Sequence, residues 1–112
     1  ALDFKLTGTR DDQTHILDAS AILYIDTVDK KTFLYTKGAV YETSLRLYEL
    51  EEQLYNGDFF RASKSSIVNF NKIKSLKSDI DGRIILVMEN GERLVVSRQY
   101  AVFIKNKLGG RH

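Results

Sequence analysis

Phe60-Arg61-Ala62-Ser63-Lys64-Ser65-Ser66-Ile67-Val68-Asn69 lies at the middle of a chain of 112 residues and has no clean period. Ala62 to Ser66 is small and polar apart from one lysine, and Ile67-Val68 is apolar. Neither the alternation of a half-buried strand nor the spacing of a helix face runs through it. Arg61–Asn71 is predicted to be a loop with one helical turn, between segments of regular structure.

On its N-terminal side, Leu47, Leu50 and Leu54 fall on one face of a helix. The helix is predicted over Ser44–Leu54, with Thr43 or Ser44 as cap and Asn56-Gly57 as stop. Glu49, Glu51 and Glu52 lie off that stripe and read as a solvated face. Before the helix come short β-forming runs: Phe4–Thr7, His15–Leu17, Ile22–Ile25, Thr32–Thr36 and Val40–Thr43. Polar turns at Asp11-Asp12-Gln13, Asp29-Lys30-Lys31-Thr32 and Lys37-Gly38 separate them. On the C-terminal side, Ile73–Ser78, Arg83–Glu89 and Arg93–Val96 read as strands, with a turn at Asp81-Gly82. Asn90-Gly91 is predicted to be a two-residue hairpin turn with φ above zero at both positions. Ser97 caps a last helix with an apolar stripe of Ala101, Ile104 and Leu108, ended by Gly109-Gly110. Eight to ten strands and two short helices make a mainly β fold. Residues 1–112 are the size of one domain.

An apolar share of 43% and a charged share of 29% are those of a globular protein. No run of apolar residues is long enough for a transmembrane helix, and no basic segment followed by an apolar one opens the chain. The expectation is a cytoplasmic domain trimmed from a longer protein, without membrane contact. There are no cysteines, so disulfides, thiolate metal sites and thiol nucleophiles are excluded. The two histidines, His15 and His112, are far apart in sequence, and no metal or cofactor is expected. Asp11-Asp12 sits in a turn without a nearby acid or histidine, and the glycines are single turn residues rather than a phosphate-cradling loop. The chain is not expected to be an enzyme.

The net charge of +2 hides a division. Residues 1–58 carry a balance of −5 and residues 59–112 a balance of +7. Five cations and no acid lie between Phe59 and Ser78, and five more, again without an acid, between Arg93 and His112. Two acid-free basic stretches in one half of a small domain point to a polyanion partner.

The central block, followed by Ile73, resembles the signature of the LytTR DNA-binding domain family, which reads approximately F-x-R-x-H-R-S-x-x-V-N-x-x-x-I. Asn90-Gly91-Glu92-Arg93-Leu94-Val95-Val96-Ser97-Arg98 is similar to its N-G-x-x-x-x-V-S-R segment. Ile22–Asp26 and Tyr41–Leu45 with Leu50-Glu51 resemble its D-I-x-Y-I-E and Y-x-T-x-x-T-L-x-x-L-E stretches. The motifs occur in the family's order and spacing, from about Phe4 to Leu108. The resemblance implies an elongated stack of small antiparallel β-sheets that binds double-stranded DNA through loops inserted in successive major grooves. It implies the output domain of a two-component response regulator, joined to an upstream receiver domain. Two copies are then expected on promoter direct repeats or paired half-sites.

The DNA-binding residues so implied are Lys31 and Thr32 in one loop, Ser63, Lys64 and Ser65 in a second, and Arg98 with Gln99 at the start of the last helix. The family usually has His-Arg where this chain has Ser63-Lys64, so a point charge replaces a bidentate fork. Asn69 is expected to fix its loop, and Phe60, Ile67 and Val68 to anchor it to the core. Two other functions fit the charge: a single-stranded nucleic-acid binder stacking bases on exposed aromatics, and a protein-interaction domain whose basic face meets an acidic partner.

Overall fold

The computed structural model describes residues 4–55 and 57–109, with side chains through Asn106. Asn56, Gly110 and the side chain of Leu108, which enter the helix expectations above, lie outside the described residues.

Ten strands form two antiparallel sheets. The larger contains β1 (Lys5–Arg10), β2 (Gln13–Asp18), β3 (Ile22–Val28), β4 (Lys31–Thr36), β5 (Val40–Thr43), β6 (Phe59–Ser63) and β7 (Ser66–Asn69), in the order β2-β1-β5-β4-β3-β7-β6. The smaller contains β8 (Ile73–Ser78), β9 (Ile84–Met88) and β10 (Arg93–Val96), in the order β10-β9-β8. The two helices are α1 (Leu47–Gln53) and α2 (Arg98–Gly109). The fold is mainly β with two short helices, as expected.

Three local expectations are corrected. Most of the stretch 61–71 is a β-hairpin turning at Lys64-Ser65 rather than a loop, and the one helical turn is the 3-10 turn Phe70–Lys72 that follows β7. All four residues of β7 are buried, so the strand has no polar face to alternate with. A register shift between Arg61 and Ser63 breaks the period of β6 as well. Next, α1 starts at Leu47 rather than Ser44. Thr43 Oγ1 accepts from Leu45 N at 3.3 Å and so shapes the approach to the helix. Arg46 N donates to Glu49 Oε1 at 2.8 Å, so Glu49 reaches back to tie the helix start. Last, of Asn90 and Gly91 only Gly91 takes positive φ, at 89°. Bonds from Met88 N to Glu92 O and from Gly91 N to Met88 O, both 2.9 Å, close a three-residue loop with glycine in the left-handed position. Two-residue turns with positive φ at both positions occur instead at Asp11-Asp12 and Asp29-Lys30.

β3 is the spine of the molecule. It is buried on both faces and pairs with β4 on one side and β7 on the other. Ile22 and Ile25 join Leu34, Ile67 and the α1 stripe Leu47, Leu50 and Leu54 in one core cluster. Leu23 and Tyr24 join Val68, Leu86, Met88, Val96, Ala101 and Ile104 in a second, which binds the small sheet and α2 to the large one. Burial, followed by the nearby Glu92 and Tyr35, pushes the Tyr24 hydroxyl up to about 12.

Burial also raises the Asp26 carboxyl above its ordinary range, partly offset by a hydrogen bond from the Thr27 backbone. A raised carboxyl favours the fold while it is protonated, and that contribution is lost as pH rises through its folded value. Asp26→Asn should therefore be more stable than the parent at pH 7, with the advantage shrinking as pH falls through the raised folded value and gone once pH lies below the ordinary aspartate range. Thermal melts of both proteins across pH 3 to 7, where about 3.9 is the unperturbed value, check this. An advantage that grew on acidification would reverse the sign.

Candidate nucleic-acid interface

The strand order decides where the loops go. β3 runs into the Asp29-Lys30 turn, and β7 leaves the Lys64-Ser65 turn. These strands are antiparallel neighbours, with Asp26 opposite Ser66, so both hairpin tips emerge at the same end of the sheet. Thr27 N donates to Ser65 O at 2.9 Å and ties one tip to the other through the main chain.

In the first tip, Asp29 and Lys30 hold φ at 51° and 68°. Both have a Cβ that crowds the following carbonyl there, and aspartate tolerates this better than lysine because its short polar side chain can hydrogen-bond locally. The turn leaves Lys30 and Lys31 exposed. Thr32 behaves otherwise. It is 6% exposed, with its hydroxyl 3.5 Å from that of Thr27, and so offers little surface to a partner. Lys30, next to the turn's other lysine, takes its place at the tip.

The second tip is held by its own serines and by Arg61. Ser63 Oγ accepts from Ser65 N at 3.2 Å and lies 2.9 Å from Ser66 Oγ. Arg61 Nη1 donates to Lys64 O at 3.0 Å. Arg61 Nε lies 3.2 Å from Glu51 Oε1, an ion pair without hydrogen-bond alignment. Glu51 is thus not merely solvated: it links α1 to the arginine that fixes the tip. Ser63 works as a staple, while Lys64 and Ser65 are exposed at the apex. Sequence reasoning missed the roles of Arg61 and Glu51, although both stand in the stretches that resemble the family, the arginine two residues before Ser63 and the glutamate after Leu50.

Arg98 and Gln99 open α2 and are exposed. Ser97 N donates to Ala62 O at 3.1 Å, which pins the helix start beside β6, two residues before the second tip. Ser97 O accepts from Tyr100 N at 3.0 Å and Ala101 N at 2.9 Å. The stem of Arg98 lies on Gly82, which has φ at 77°. A Cβ there would sit 2.8 Å from Arg98 Cδ, so Gly82 leaves the room that the arginine occupies.

Asn69 is 3% exposed and stays away from the surface. Its Nδ2 donates to Ile22 O at 2.9 Å and its Oδ1 accepts from Asn71 N at 3.0 Å. Ile67 and Val68 are fully buried and Phe60 is half-buried, which anchors the second hairpin as expected. Among the described residues no group of acids and histidines could hold a metal ion, and no helix is long and apolar enough to cross a membrane.

Comparison with known proteins places the sequence and the fold. Residues 12–109 match the family described as LytTr DNA-binding domain. The chain is 34% identical over 103 residues to an uncharacterized HTH-type transcriptional regulator of Staphylococcus aureus strain NCTC 8325, covering 92% of this chain and 69% of that protein. A counterpart in strain MRSA252 is 33% identical over the same shares. Among solved structures, the LytTr DNA-binding domain of a Bacillus cereus protein described as a methyl-accepting/DNA response regulator superposes with a TM-score of 0.88 at 32% identity, covering 94% of this chain and 96% of that one.

Proposed function

The chain belongs to the LytTR DNA-binding domain family, and on that footing we propose that it grips one side of a DNA duplex with its two hairpin tips and the start of α2, placed in successive major grooves. The observation that carries this reading is the convergence of three cation-bearing segments, Lys30-Lys31, Lys64 and Arg98, at one end of the large sheet. The longest dimension, 43 Å, exceeds the ~34–36 Å of one duplex turn. Lys31, Lys64, Ser65 and Gln99 position the domain on phosphates, and Arg98 reads a base edge. Thr32 and Ser63 act from behind, by shaping the tips.

The exposed aromatics favour duplex over single strands. Among the described residues they are Tyr48, Tyr55 and Phe103, on or beside the helices. A single-strand platform on a β-sheet needs aromatics on the sheet's open face. The wider context we propose is the output domain of a longer cytoplasmic regulator, a single domain over residues 1–112 with a receiver upstream, acting as two copies on direct repeats or paired half-sites. The description of the Bacillus protein as a response regulator supports it.

The test is a titration against a duplex selected from a random pool and a scrambled one. With on the order of five phosphate contacts, log K against log salt should have a slope of about −4 to −5. A slope near zero, or a preference for single strands, would overturn the reading. Lys64→Gln should weaken binding to both duplexes alike and flatten the slope by about one unit, as loss of one phosphate contact does.

A further inference from the structure

A third segment reaches the end of the sheet where the tips lie. β5 is antiparallel to β4, with Thr43 opposite Thr32, so its exit toward α1 passes beside the Lys30-Lys31 tip. Between this exit and the two tips lies an open cleft of about 730 Å³. Lys30, Lys31, Arg46, Arg61 and Lys64 line it, against a single acid, Glu42. Arg61 is committed to Glu51 and to the carbonyl of Lys64. The other four cations form no ion pair among the described residues.

Four unpaired cations around one concave surface repel one another, and an anion placed among them relieves that repulsion. The cleft is open along one side and bounded by the elements that the duplex is proposed to touch. We propose that the cleft seats the sugar-phosphate backbone that runs between the two grooves entered by the tips, with Arg46 as its phosphate contact. This rests on the reading of the tips as the DNA-binding face. Arg46 is exposed, and its backbone, not its side chain, makes the bond to Glu49 that ties α1. The guanidinium is therefore left for a partner and can take two phosphate oxygens at once. The occupant is a backbone rather than a base edge, because the lining offers charge and small hydroxyls such as Thr43 and Ser44.

The experiment compares Arg46→Gln, Arg46→Lys and Lys37→Gln with the parent on the selected and scrambled duplexes over a range of salt. Lys37 lies in the turn after β4, at the opposite end of the strand from the tips. Arg46→Gln should weaken both duplexes by the same factor and flatten the salt slope by about one unit. Arg46→Lys should restore the slope, and Lys37→Gln should behave as the parent. If Arg46→Gln matched Lys37→Gln while Lys64→Gln flattened the slope, the cleft would not hold backbone. If Arg46→Lys failed to restore the slope, the arginine's effect would be structural, and the proposal would fall. If Lys64→Gln and Arg98→Ala also left binding untouched, the face itself would be wrong, a different failure from that of the cleft.

Discussion

Arg98→Ala should weaken binding to the preferred duplex by about 1–3 kcal/mol and weaken scrambled DNA much less. A planar guanidinium can pair with O6 and N7 of one guanine, and such a contact exists only where the guanine does. The position of the residue favours this role. Arg98 is the first residue of α2, where the helix dipole disfavours a cation. Its stem lies in the space that Gly82 leaves open, so the side chain is supported beside the turn. Binding isotherms for both duplexes at two salt concentrations check the effect. If Lys64→Gln abolished the preference while Arg98→Ala left it intact, the two residues would exchange roles.

Asn69→Leu should destabilise the fold by about 2–4 kcal/mol, because a buried carbonyl and a part-buried amide lose their partner. The side chain joins Ile22 O in β3 to Asn71 N in the turn that leads out of the large sheet. Leucine branches at Cγ as asparagine does but is larger, so the substitution removes the two bonds and adds some crowding at a buried position. It leaves a carbonyl on the spine strand and an amide in the inter-sheet link unsatisfied. Urea unfolding measures the loss. The folded fraction should keep the parent's salt slope, since no DNA contact is removed. A loss under about 0.5 kcal/mol, the level of an ordinary surface change, would show that water replaces both bonds.

The strands between Phe4 and Thr43 and between Ile73 and Val96 were legible because each is short and bounded by turn residues. The α1 stripe was legible because Leu47, Leu50 and Leu54 all enter one core cluster. The second hairpin was not, and its position explains why. Ser66 and Asn69 are buried polar residues in β7, where a reader of patterns expects apolar ones. Their hydrogen bonds to Ser63, Ile22 and Asn71 remove the cost of burial, and sequence periodicity carries no trace of such bonds. The same holds for the site. Lys64 and Arg98 were marked by charge, yet Arg61, Glu51 and Gly82, which hold them in place, act through contacts between distant segments. The resemblance implies Thr32 as a DNA contact in the first loop, although the alternation of β4 turns it inward.

The tips owe their position to main-chain bonds and to groups set behind them, Thr27 N on Ser65 O above all. The side chains of Lys30, Lys31 and Lys64 belong to neither core cluster. Scaffold and grip are therefore written in different residues. If the apex lysines meet phosphates as proposed, a lineage can tune how tightly the face holds a polyanion by exchanging them, with no penalty in folding to slow it. The same separation makes those apex positions the natural ones to vary when affinity is to be changed without unfolding the domain.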